Sequence, residues 1–222
     1  VRVAKEAAGG RAWVAGSMGP TGTRLAPLGP VPPGEAFKVF REQAEVLANE
    51  GVDLFLLETF FSLPELWQAV RAVRSVTDLP IVTMMTFPAA GPGQQQTQGP
   101  APAQAAKAMA AWDVAAVGAN CSLGPRGLID IVEAMRPVVD KPIVAMANAG
   151  LPQVVEGRTL YLAGPEYMAE HARRLAQVGA RGIGGCCGTT PAMIKEMRSF
   201  LRSISPLNPP PVTPVVSEDT TD

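Results

Sequence analysis

Six short apolar runs recur along this chain, each followed by a stretch of helical periodicity, and nothing else restricts the fold so tightly. The runs are Trp13–Ser17, Asp53–Glu58, Ile81–Phe87, Val114–Asn120, Ile143–Asn148 and Gly182–Cys186. They are apolar on both sides rather than alternating, the pattern of parallel strands covered on both faces. The helices expected after them are Gly34–Asn49, Leu63–Ser75, Ala101–Ala111, Pro125–Arg136, Pro165–Gln177 and Pro191–Ile204. Several open on or beside a proline, whose missing N–H costs nothing in a first helical turn. Gly51 and Gly179 stand where the first and fifth should end. Strict alternation of strand and helix means an α/β fold, either a doubly wound sheet or a (β/α)8 barrel.

Polar residues decide between the two. Ser17, Glu58, Thr59, Thr86, Asn120, Cys121, Asn148, Cys186 and Cys187 all fall at the C-terminal ends of expected strands. A doubly wound sheet gathers its site at one switch point, whereas a barrel draws on many strand ends around one mouth. The expectation is therefore a (β/α)8 TIM barrel, here with about six β/α units and the first two missing. Val1–Gly10 reads as the end of a helix whose strand is absent. Residues 1–204 form this domain. Ala89–Pro100 reads as a loop over the mouth, and 205–222 as a Pro-rich linker or disordered tail.

Charge excludes some partners. Nineteen Lys and Arg against twenty Asp and Glu leave a net charge of −1 with no basic cluster. Nucleic acid and anionic membrane are not expected partners. The longest apolar runs are far shorter than a membrane span, so a cytoplasmic location is expected.

The chain has three cysteines. Cys121 ends Gly118-Ala119-Asn120-Cys121, and an adjacent pair lies in Gly184-Gly185-Cys186-Cys187-Gly188. Neighbours on a regular strand point to opposite faces, so Cys186 and Cys187 converge only if the strand breaks there. Gly184, Gly185 and Gly188 are expected to permit that break. Three thiolates from two strand ends would make a soft tripod suited to zinc, with a fourth position free. A vicinal disulfide, an oxidation sensor or three inert buried thiols remain open alternatives. The odd count and the lack of a signal peptide argue against a secreted disulfide framework.

The cysteine motifs, with Asn148-Ala149-Gly150-Leu151-Pro152 and Thr189-Thr190-Pro191, resemble the signature of the zinc-dependent homocysteine S-methyltransferase family. Gly16-Ser17-Met18-Gly19-Pro20 and Leu57-Glu58-Thr59 fit earlier family positions in order. The stretch from Gly157 to Tyr167 most resembles a bacterial subgroup in which a methylenetetrahydrofolate reductase domain follows. The resemblance implies a homocysteine-binding barrel, a zinc cofactor held by Cys121, Cys186 and Cys187, and substrate binding by Glu58, which takes the ammonium, and by Asn148 close by. It implies homocysteine and a methyl donor as substrates, the donor being methyltetrahydrofolate, methylcobalamin or S-methylmethionine. Asn120 and Thr86 are expected to act behind the site or structurally, Met84 and Met85 to pack, and His171 to lie on the surface.

Family members also carry an Asp-Gly-Ala or Asp-Gly-Gly loop and an Asn-Thr strand end that are not found here, and proline where this chain has Ala147. That departure leaves a second expectation beside the enzyme: a truncated, catalytically inactive zinc- or thiol-binding remnant with open sheet edges.

Overall fold

The computed structural model describes residues 1–88 and 99–203. Helix α1 (Arg2–Ala8) leads into strand β1 (Ala15–Met18). Then follow α2 (Pro33–Asn49), β2 (Leu54–Phe60), α3 (Leu63–Arg74), β3 (Ile81–Met85), α4 (Pro102–Ala110), β4 (Ala116–Asn120), α5 (Pro125–Met135) and β5 (Ile143–Ala147). A hairpin of β6 (Gln153–Val155) and β7 (Arg158–Leu160) intervenes before α6 (Pro165–Gln177), β8 (Ala180–Gly185) and α7 (Pro191–Arg202). The main sheet runs β1-β2-β3-β4-β5-β8, and every pairing in it is parallel. These are six consecutive units of a (β/α)8 barrel, as the alternation of runs and helices and the polar residues at the strand ends implied. All six expected strands and the six helices after them are present.

The core lies between the sheet and its helices. Phe55, Leu57 and Phe60 of β2 are fully buried with Phe40 of α2 and Leu66 of α3, and the rings of Phe40 and Phe60 stand 5.9 Å apart. Each such side chain contributes about 1.5–3 kcal/mol when taken from water. At the other end of the strands, Asp53 accepts the Val14 N–H at 2.6 Å and pairs with Lys5 at 2.5 Å. That carboxylate ties α1 to the starts of β1 and β2, and the Lys5 ammonium holds its proton affinity below the usual range. No helix among the described residues is long and apolar enough to cross a membrane.

Three details differ from expectation. The β6–β7 hairpin has no counterpart among the expected strands. Glu156 (φ 49°) and Gly157 (φ 74°) turn it in the two-residue geometry that matches strand twist, with Glu standing where Asn or Asp is the usual signal. His171 is not on the surface but 8% exposed, its ring stacked 4.1 Å from Tyr167 and its Nδ1 2.9 Å from the Tyr167 carbonyl. The apolar side of α6, with Met168, Ala172 and Leu175, carries it inward. Finally, β2 continues past Glu58 to Phe60 through an irregularity at Thr59, and β3 stops at Met85. Met84 and Met85 pack in the interior as expected. Most of the expected mouth loop (89–98) and the tail (205–222) lie outside the described residues.

Candidate functional site

Strand β5 splints the site. Its neighbours in the sheet are β4, which ends next to Cys121, and β8, which ends next to Cys186. The Cys121 N–H donates to the Met146 carbonyl at 3.1 Å, and the Cys186 N–H to the Ala147 carbonyl at 2.7 Å. Just past β5, Asn148 is 4% exposed and its Oδ1 accepts the Cys187 N–H at 3.2 Å, while the Ala149 N–H donates to the Cys187 carbonyl at 2.9 Å. All three cysteines are thus fixed by consecutive residues of one segment.

The chain leaves β4 and β8 in two ways. After β4, Cys121 (φ 62°) and Ser122 (φ 53°) both take left-handed backbone, uncommon without glycine and concentrated at functional sites. After β8, the turn falls at Cys187 and Gly188, where Gly188 has φ 77°. Gly184 and Gly185 do not break the strand as expected; they lie within β8. Their role is room: a Cβ on Gly185 would collide with Thr189, and one on Gly184 would crowd Met146.

The three sulfurs converge. Cys121 Sγ and Cys187 Sγ are 3.9 Å apart, and all three lie within 4.8 Å of one another. Sulfurs bound to one tetrahedral zinc at about 2.3 Å stand roughly 3.8 Å apart, so this donor set fits such an ion with a small inward shift. No disulfide links them. Burial, then the charges of Cys121 and Cys187, push the Cys186 thiol up to about 12. Three thiolates this close therefore need a cation, which is the chemistry a metal supplies.

Glu58 stands on the same mouth. Its Oε1 accepts from Ser17 Oγ at 2.6 Å and its Oε2 from Asn120 Nδ2 at 3.2 Å. Asn120 is fully buried; its Oδ1 accepts the Thr59 N–H at 2.8 Å, and its Nδ2 donates to Thr59 Oγ1 at 2.8 Å. That clamp accounts for Thr59, a β-branched residue at φ 68°. The same Nδ2 is 3.8 Å from Cys186 Sγ. Thr86 Oγ1 lies 2.6 Å from Ser122 Oγ behind the cysteine turn. The strand-end residues singled out in the sequence are therefore one connected set.

The family model for homocysteine S-methyltransferase matches residues 1–201. The chain belongs to this family. Curated relatives of this homocysteine S-methyltransferase family member include methionine synthase from Mycobacterium tuberculosis (strain ATCC 25618 / H37Rv), 32% identical over 198 residues. The match covers 86% of this chain and 16% of that protein. Methionine synthase from Mycobacterium leprae (strain TN) is 31% identical over 191 residues, 83% of this chain and 16% of that protein. The chain thus spans about a sixth of these relatives' length. Among solved structures, the apo form of the homocysteine methyltransferase MmuM from Escherichia coli superposes with a TM-score of 0.68 at 22% identity. It covers 90% of this chain and 68% of that one. The metallated form gives a TM-score of 0.62 at 22% identity, over 89% and 66%. Both likenesses establish the fold, the barrel expected from the sequence.

Within this family member, the Ala147 carbonyl receives the Cys186 N–H, a bond that the proline expected at this position would accept equally well. The residue that sequence reasoning missed is Tyr161, delivered by the β6–β7 hairpin. Burial, then the adjacent Cys187 sulfur, raise its phenol above the usual value, and its ring lies against Gly188. The one signal was its place in the stretch from Gly157 to Tyr167 singled out by resemblance, which gave no hint that this tyrosine reaches Cys187.

Proposed function

We propose that this chain methylates homocysteine to methionine, with zinc held by Cys121, Cys186 and Cys187 and the substrate ammonium received by Glu58. The observation that carries this reading is the convergence of three sulfurs within 4.8 Å beside a carboxylate tied to them through buried Asn120. Zinc bound there supplies a cation that favours the thiolate over the thiol of homocysteine near neutral pH. The protein's own groups do the remainder. Ser17 and Asn120 hold the Glu58 carboxylate in place for an ammonium. Asn148 fixes Cys187 through its backbone and, beside Glu58, is the second residue assigned to binding the substrate's amino-acid end. In the transfer, the substrate's S–H proton goes to solvent, the sulfur's electron pair forms the bond to the methyl carbon, and the donor atom leaves with the electron pair of the bond that breaks. Methyltetrahydrofolate, methylcobalamin and S-methylmethionine are the donors to try. Three free thiols suit a reducing compartment such as the cytoplasm.

The test uses purified chain loaded with zinc, L-homocysteine and each donor in turn, with methionine quantified by mass spectrometry. Methionine from at least one donor, lost in Cys186→Ser and requiring more homocysteine in Glu58→Gln, is the expected result. Zinc retained one-to-one without methionine from any donor would replace this reading with a zinc- and thiol-binding protein that does not turn over.

A further inference from the structure

The Asn120 amide has fewer hydrogens than its surroundings demand. Its orientation is fixed, because Oδ1 faces a donor, the Thr59 N–H at 2.8 Å. The NH2 group then offers two hydrogens. Three acceptors surround it: Thr59 Oγ1 at 2.8 Å, Glu58 Oε2 at 3.2 Å and Cys186 Sγ at 3.8 Å. Asn120 is fully buried, so its two hydrogens are shared among these three acceptors and none goes to water. The Thr59 contact is short and held by the opposite side of the same amide, which leaves one hydrogen for Glu58 and Cys186. Glu58 has a second support, the Ser17 hydroxyl at 2.6 Å on its other oxygen, and can release Asn120 without losing its position.

We propose that Asn120 is a positioning residue that couples amino-group recognition at Glu58 to Cys186: an ammonium taking Glu58 Oε2 frees one N–H, which passes to the Cys186 sulfur. The inference rests on the reading of Glu58 and the cysteines given under Proposed function. Its consequence is directional. A thiolate that accepts an N–H bond gives less electron density to the ion it holds, so that ion becomes a stronger acceptor for a further sulfur. Occupation of the amino-acid end would prepare the sulfur end, and by linkage the reverse holds.

The test separates the coupling from the substrate reading. The chain is loaded with cobalt(II), whose thiolate charge-transfer band reports on the cysteine sulfurs, and titrated with L-norleucine. Norleucine brings an ammonium and a carboxylate but no sulfur, so a band shift must travel through the protein. The wild-type band is expected to shift as norleucine binds, with binding measured independently by calorimetry. In Asn120→Ala, norleucine should bind without shifting the band. In Thr59→Ala two hydrogens meet two acceptors, so the band should start at the shifted position and stay there; this variant decides if Asn120→Ala fails to fold. A merely structural role for Asn120 does not predict that starting position. Norleucine bound with the wild-type band unmoved, or Thr59→Ala behaving as wild type, overturns the coupling and leaves the substrate reading standing. No norleucine binding to the wild type overturns the Glu58 reading and the coupling with it.

Discussion

Gly188 lies against the base of the Tyr161 side chain, and a Cβ built on it would collide with the Tyr161 Cβ and Cγ. Gly188 also has φ 77°, where a side chain is strained. Gly188→Ala is therefore expected to destabilise the chain by about 1–3 kcal/mol through overpacking. It should also displace the hairpin that carries Tyr161. Thermal melts and limited proteolysis near Gly157 measure both effects; a variant with an unchanged melt and digest would show that the contact is not tight.

Asn148 holds Cys187 by its backbone. Asn148→Ala leaves that N–H without its acceptor and should weaken zinc binding roughly tenfold or more, as loss of a supporting bond behind a metal ligand does. Asn148→Asp keeps an acceptor oxygen and should recover part of the loss. Competition against a chromophoric chelator gives both affinities. Equal affinity in all three proteins would remove Asn148 from the support of Cys187.

Each cysteine is expected to be required for metal retention. Cys121→Ser, Cys186→Ser and Cys187→Ser should each lower bound zinc well below one per chain by elemental analysis. In the unaltered protein, free zinc at a hundred times its Kd should stabilise the fold by about 2.7 kcal/mol, and a strong chelator should reverse this. A melt indifferent to zinc and chelator would contradict the metal reading.

Glu170 offers a pH test away from the mouth. Arg173 first, and then Arg174, hold its carboxyl at about 2 against the ordinary 4.5. A carboxylate depressed in the folded state stabilises above the unfolded value and loses that contribution as pH falls through the folded one. The wild type should therefore lose more stability than Glu170→Gln as pH falls from 4.5 towards 2. The difference should be small, because the partners are exposed and screened by salt. Acid titrations of both proteins by circular dichroism decide it.

The sequence made some of this legible for identifiable reasons. Apolar runs such as Ile81–Met85 and Ile143–Ala147 announced buried parallel strands, and the polar residues ending them announced the mouth. What escaped depended on contacts between distant segments. Nothing local to Thr59 foretells a left-handed backbone; Asn120, 61 residues on, imposes it. The glycines before Cys186 looked like hinge points, yet they serve as clearance for Thr189 and Met146, neither of which is adjacent in sequence. His171 looked solvated by its charged neighbours, and only the packed side of α6 shows otherwise.

The splint formed by β5 has a final implication. Because the sulfurs arrive from β4 and β8 while β5 runs between them, an ion they share is a clasp across three strands. Retained metal would then certify that those strands lie in the right order. Damage anywhere along that seam should surface as metal loss before it surfaces as unfolding, so that ion release becomes an early warning of structural failure.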